Sequence, residues 1–191
     1  KEDNNMANID APFGLSPIGK IGGGTDPAMN SYTAFANYAT IISQGDVVKI
    51  DEAEGDVQLF AAAGGGTDAT NAIGVFWGSS FDDSDGKPTF KNTRPASQLA
   101  EVFVYDDPYQ MFEVQGDGAS AQTDLSNHAD LAVVAGSTIT GVSKSELDSS
   151  DIGTGNNLRI VGFSKKEGRD TVGTNGANVV YNVLINEHKY K

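Results

Sequence analysis

The sequence predicts a mainly β domain, and three observations carry that prediction. Clusters of Gly, Asn, Asp, Ser and Thr interrupt short apolar runs along the whole of the 191 residues, the pattern of short strands joined by turns. The last apolar run alternates at period two. Helix signals are few and short. A chain of this length suits a single core and can bury roughly two thirds of its unfolded surface.

Taken in order, the candidate strands are 46–51, 57–62, 73–77, 99–105, 110–115, 131–135, 157–163 and 179–186. In the last, Val179, Tyr181, Val183 and Ile185 share one face, while Asn182 and Asn186 fall on the other with Val180 and Leu184. Strand 99–105 lacks alternation, because Val102, Phe103, Val104 and Tyr105 run consecutively. It is therefore expected at the centre of a sheet, covered on both faces or lying at a subunit contact. Ser143 with Glu146 three residues on has the spacing of a capping box and predicts one short helical turn. Tyr32, Phe35, Ala36 and Ala39 have helical spacing, but Thr33, Tyr38 and Thr40 suit a strand equally well.

Residues 1–30 read as an extended arm and 31–191 as one β-rich domain. Pro12, Pro17, Pro27 and the run Gly22, Gly23, Gly24 oppose regular structure, while Ile9, Phe13, Leu15, Ile18 and Ile21 are spaced apolar anchors. Fully extended, residues 7–22 reach on the order of 50 Å at about 3.3 Å each. Such an arm can add to a strand edge of a neighbouring subunit, with Ile9, Phe13, Leu15, Pro17, Ile18 and Ile21 as its binding residues, or it can fold back over its own domain. Deletion through Gly22 is expected to leave the β domain folded. Met6 followed by Ala7 is a candidate start.

The formal charge of −13 repels phosphate backbones and anionic lipid, so direct nucleic-acid or membrane-surface binding is not expected. Lys165, Lys166 and Arg169, interrupted by Glu167, read as a solvated turn. There is no run of about eighteen apolar residues, no charged-then-apolar leader and no lipidation signature, so no membrane span or anchor is expected. Cysteine is absent, which removes disulfides, thiolate nucleophiles and cysteine-ligated zinc.

No enzyme motif survives inspection. Gly116, Gly118 and Ala121 have a dinucleotide-like spacing after a strand, but no helix opening and no βαβ alternation follow. The repeated Gly-Gly-Gly-Thr-Asp at 22–26 and 64–68 lacks the Lys-Ser/Thr of a phosphate loop. Asp82, Asp83 and Asp85 cannot complete an EF-hand and read as a hairpin tip, with a weak surface calcium site as the alternative. Glu52, Glu54 and Asp56 are expected exposed around a turn. His128 and His188 have no nucleophile context. The reading is a non-enzyme with no cofactor and no metal. Trp77, Tyr105, Tyr109 and Phe112 form either core or an aromatic sugar platform.

Several blocks, in order along most of the chain, resemble those of tailed-bacteriophage capsid decoration (cement, head-stabilising) proteins. Ala11-Pro12-Phe13-Gly14-Leu15-Ser16-Pro17-Ile18-Gly19 is similar to the family's opening arm, with Phe13 where a polar residue is usual. Gln44-Gly45-Asp46-Val47-Val48, Ile73-Gly74-Val75-Phe76, Arg94-Pro95-Ala96-Ser97, Asp106-Asp107-Pro108 and Phe112-Glu113-Val114-Gln115 follow. Gly141-Val142-Ser143, Glu146-Leu147-Asp148-Ser149-Ser150, Leu158-Arg159-Ile160-Val161-Gly162 and Ile185-Asn186-Glu187-His188 complete the series.

The resemblance implies a small β-barrel or a β-tulip or sandwich-like domain with at most one or two short helices. It also implies a structural role on the outer surface of the virion capsid, touching several major capsid protein subunits as a homo-oligomer, with a trimer favoured and a dimer as runner-up. The alternatives are a carbohydrate-binding β domain and a structural component of a phage tail or fibre.

Overall fold

The computed structural model describes residues 8–24, 27–60, 71–155, 157–164 and 176–191. The fold is mainly β. In chain order the first strands are β1 (Ser16–Lys20), β2 (Asn30–Ala34), β3 (Ile42–Ser43), β4 (Val47–Ile50), β5 (Val57–Leu59), β6 (Ala72–Asp82), β7 (Pro88–Lys91) and β8 (Thr93–Arg94). They are followed by β9 (Ala100–Tyr105), β10 (Gln110–Gln115), β11 (Ala119–Ser120), β12 (His128–Ala129), β13 (Leu131–Ala132), β14 (Glu146–Leu147), β15 (Leu158–Phe163), β16 (Gly176–Ala177) and β17 (Val180–Ile185). Helix is limited, among the described residues, to single 3-10 turns at Gln122–Asp124 and Ser149–Asp151.

Two antiparallel sheets dominate, one in the order β1-β10-β17-β15-β12 and the other β2-β9-β6-β4-β5, with β7 added to the far end of β6. Both stay open, so the barrel option of the sequence reading is not what forms. The alternating face of β17 behaves as its period dictates: Val179, Tyr181, Val183 and Ile185 all enter the main core. That core also takes Phe112 and Val114 from β10, Leu158 and Ile160 from β15, and Val47, Val75 and Tyr105 from the second sheet. The two sheets therefore share one apolar layer.

A second core lies on the opposite face of the second sheet, built from Val48, Ile73, Phe76, Val102 and Val104 and closed by Ala34 and Ile42. Burial on both faces explains the unbroken run in β9. Val102 and Val104 point to the second core, Tyr105 to the first, and Phe103 packs against Phe90 of β7 at 5.9 Å between centroids. As expected, β9 is internal, hydrogen-bonded to β2 and β6. In β6 the register slips so that Lys49 faces Ala72 while Val48 faces Gly74. Ile73 is thereby turned into the second core between Ala72 and Val75, which belong to the first.

Several local expectations are corrected. Of the two alternatives open for residues 31–39, strand is the one that forms at the start, where β2 pairs with β9 from Asn30 opposite Val104 to Ala34 opposite Ala100. The Ser143 capping box does not open a helix: the Ser143 hydroxyl accepts the Ser145 amide at 3.1 Å, and Glu146–Leu147 is strand. The helical turn is capped five residues later, at Asp148, whose side chain accepts the Ser150 amide at 2.9 Å. Strand 131–135 shrinks to Leu131–Ala132.

The prolines of the arm do not exclude strand either. β1 contains Pro17 and pairs with β10 from Ser16 opposite Glu113 to Lys20 opposite Gln110. It is an edge strand, where a missing N–H costs no ladder bond, and the register shifts between Pro17 and Gly19. The expected continuation of β5 to residue 62, the second Gly-Gly-Gly-Thr-Asp, Met6 and the basic cluster at Lys165, Lys166 and Arg169 lie outside the described residues. Among the described residues, no helix is long and apolar enough to cross a membrane.

Candidate functional site

The arm is the first candidate, and the structure divides its six residues. Leu15 lies in the main core, with its amide donating to Gly45 O at 2.9 Å. Phe13, Pro17 and Ile18 are half-buried on the domain's own surface. Ile9 is 79% exposed, and Ile21 is also exposed. Gln115 holds the start of the arm with its side-chain amide, accepting the Ala11 N–H and donating to Ile9 O, each at 2.9 Å. Residues 8–20 thus run along the chain's own first sheet, and Ile9 and Ile21 are the two anchors of the six that are left facing solvent. Deleting through Gly22 would remove the core residue Leu15 and the whole of β1 from the edge of the first sheet.

A second candidate assembles from residues far apart in sequence. Arg94 is completely buried, and its guanidinium is a hub for backbone carbonyls. Nε donates to Gln98 O at 3.0 Å, one terminal nitrogen donates to Tyr38 O at 2.6 Å and Thr40 O at 3.0 Å, and the other donates to Phe35 O. The group also sits 5.5 Å from the Tyr38 ring centroid. Burial lowers the arginine's pKa, but a guanidinium starts so high that it stays charged at neutral pH. Its work is to fold the irregular segment 35–41 against the sheet.

That segment forms one wall of a mostly apolar groove of about 560 Å³. Ile41, Leu59, Pro95, Ala96, Ala135 and Thr138 line it, together with Asp46. Ile139, 94% exposed, follows directly on the Thr138 wall. Asp46 is the unusual member because only 3% of its surface is accessible. Its Oδ2 accepts the Ser43 amide at 2.7 Å and the Ser143 hydroxyl lies against the carboxylate, yet Oδ1 has no hydrogen-bond partner. Burial raises its pKa above the usual aspartate value, opposed by Ser143 and the Ser43 amide. Asp46, Pro95, Ala96 and Ser143 come from three separate blocks of the sequence resemblance, and the fold brings them together.

The remaining sequence candidates stay apart. Asp83 accepts the amides of Asp85 at 2.9 Å and Lys87 at 3.0 Å, so this acidic stretch is the tip of the β6–β7 hairpin. In the other acidic cluster Glu52 and Glu54 are exposed, but Asp56, expected exposed with them, is fully buried. Among the described residues, no group of three or more His, Asp or Glu side chains could hold a metal ion. His128 is on edge strand β12, and His188 is buried near the carboxyl terminus, with Nδ1 accepting the Tyr190 amide at 3.1 Å.

The four aromatic residues do not make one platform. Phe112 and Tyr105 are core, Trp77 packs edge-on against Tyr105 at 5.4 Å, and Tyr109 alone of the four stands out, 56% exposed. After β10 the Gly116, Gly118, Ala121 spacing leads into β11 and a 3-10 turn, with no helix to receive a pyrophosphate.

The sequence reading gave neither Arg94 nor Asp46 a role in a site. For Asp46 the available signal was its place directly before the apolar strand residues Val47 and Val48, where burial demands a partner; Arg94, between Thr93 and Pro95, carried no such signal. No family model, curated protein or solved structure matches the chain.

Proposed function

We propose that this chain is a structural virion protein of a tailed bacteriophage that binds the outside of the assembled head and cements adjacent major capsid subunits. The observation that carries the reading is the ordered series of sequence blocks resembling capsid decoration proteins, from Pro12-Phe13-Gly14-Leu15 to Ile185-Asn186-Glu187-His188. Exposed apolar side chains on the arm, Ile9 and Ile21, support it as capsid contacts. An acidic, cysteine-free composition is compatible with a protein made at high copy number in the host cytoplasm and persisting on a particle outside it.

The mechanism is interface physics. A standard contact buries about 1,600 Å². An oligomer making several such contacts at once binds far more tightly than one subunit alone, because each further contact forms at a high effective concentration. Binding only the expanded lattice stabilises that lattice against internal DNA pressure by mass action. A trimer on three-fold positions is the first choice for placement.

The test is cosedimentation of the purified protein with expanded, undecorated heads, with bound copies counted per capsid subunit. Saturation at a fixed ratio is expected, and a ratio near one would agree with trimers. Absence of binding to every head state would reject the reading and favour a glycan-binding or tail-component role.

A further inference from the structure

We propose that the apolar groove beside Arg94 and the Ile139 turn next to it form a self-complementary contact, through which two copies of this chain join about a two-fold axis, each inserting its Ile139 into the other's groove. Ile139 is 94% exposed, more than any other large apolar side chain among the described residues. Its burial against a partner is free energy that the single chain leaves unused. The turn that carries it is held in place. Within it, Gly141 N donates to Ser137 O and Ser137 N to Val142 O, each at 2.8 Å, and Ser137 Oγ accepts the Thr140 amide at 3.2 Å. From outside it, Asn92 Nδ2 donates to Thr140 O at 2.8 Å and the Gln44 amide donates to Gly141 O at 3.0 Å. Ile139 is therefore a fixed knob.

The recess lies beside it. Thr138, the residue before the knob, belongs to the groove wall, with Ile41, Leu59, Pro95 and Ala135 among the apolar residues that complete the lining. A surface with a protruding group next to a recess of the same polarity meets the condition for an isologous contact, in which residue i of one copy meets residue j of the other and j meets i. The volume of about 560 Å³ exceeds a single isoleucine side chain, so residues flanking Ile139 enter with it.

Charge decides the occupant. At −13, two copies repel one another except where charge is absent. Segments 38–45, 95–100 and 131–143 supply the knob and most of the groove, and none of them contains a charged residue. Asp46, with 3% of its surface accessible, is engaged within its own domain by the Ser43 amide and the Ser143 hydroxyl. A strongly charged partner finds no counter-charge here, whereas a second copy brings an uncharged apolar surface to its equal. Ile41 and Val134, 45% and 44% exposed, widen the patch, and depletion of charge is the compositional mark of an interface centre. The contact stands whether or not the chain decorates a capsid, and it can join oligomers built through other surfaces.

Analytical ultracentrifugation of the full-length protein over a concentration series tests it. The wild type should reach twice the mass of Ile139→Ser, a change at an almost fully exposed side chain, and the variant should associate about tenfold or more weakly. Ala96→Trp, at an exposed wall residue, should fill the groove and weaken association by a similar factor, with circular dichroism unchanged in both variants. Mixing the two is the decisive arm. Neither variant can pair with itself, since one lacks the knob and the other the open groove, but a mixed pair keeps one knob and one groove that fit. The mixture should associate more tightly than either variant and less tightly than the wild type. Added salt should strengthen the wild-type contact by screening the repulsion between like-charged copies.

Equal mass for wild type and Ile139→Ser at every concentration would overturn the proposal and leave the groove to a different protein. Undiminished association of Ala96→Trp, a mixture no tighter than its components, or association that salt weakens would overturn it as well. Growth beyond twice the Ile139→Ser mass would replace the two-fold contact by a head-to-tail one.

Discussion

Replacing Arg94 by Met removes the guanidinium while keeping most of the buried stem. Four backbone carbonyls, those of Phe35, Tyr38, Thr40 and Gln98, lose their charged donor. Hydrogen bonds to an ionised group contribute about 1.5–3 kcal/mol each, so the four together represent roughly 6–12 kcal/mol before compensation. Removing the arginine also relieves several kcal/mol of charge burial. The exposed Phe35 and Thr40 positions can regain water. The net loss should be about 3–5 kcal/mol, equivalent to a fall in Tm on the order of 10 °C for a chain of this size.

Urea unfolding followed by Trp77 fluorescence and far-ultraviolet circular dichroism measures this loss. Arg94→Lys should recover only a minor part, because one ammonium cannot span four carbonyls around a planar fork. A loss below about 1 kcal/mol for Arg94→Met would refute the assignment of Arg94 as the post that holds segment 35–41.

Three further outcomes are expected of the fold. Gly74→Ala should destabilise severely, by roughly 3 kcal/mol or more, because at φ +150° its new Cβ would lie 2.0 Å from Tyr105 O; Gly86→Ala, with φ +73° but open space around it, should cost only about 1–2 kcal/mol, and equal losses in a denaturation series would contradict the reading.

Burial lowers the pKa of His188 in the folded protein, against raising effects from Asp106, Ile73 and Asp107, with Lys191 also lowering it. Below the unfolded value of about 6.5 the unfolded chain then holds more protons, so stability is full above that pH and declines on acidification until the folded histidine is protonated too. His188→Gln should flatten that part of the stability-pH profile, and an unchanged slope would show that other groups set it. Ile9→Asp combined with Ile21→Asp should keep the melting curve of the wild type and reduce head binding in the cosedimentation assay by at least about tenfold; unchanged head binding would remove the exposed arm anchors from the mechanism.

What the sequence by itself determined is the β class, the strands at 47–50, 100–105, 110–115, 158–163 and 180–185, and the buried face of the last one. These are consequences of local periodicity, since side chains alternate along a strand whatever it pairs with. The placement of β9 inside a sheet was legible for a related reason, because only burial on both faces tolerates Val102 to Tyr105 in succession.

Tertiary structure alone decided the rest. Pro17 can sit in a strand because β1 found a sheet edge, and Ser143 cannot cap a helix because Glu146 and Leu147 pair with Ala132 and Leu131. Asp56 is buried and Glu54 is not, although only Gly55 separates them. The groove unites Ile41, Asp46, Pro95 and Ala135, and the arginine that shapes its wall reaches back as far as residue 35. Long-range pairing of this kind leaves no period in a sequence, because its free energy comes from groups that meet only once the chain has folded.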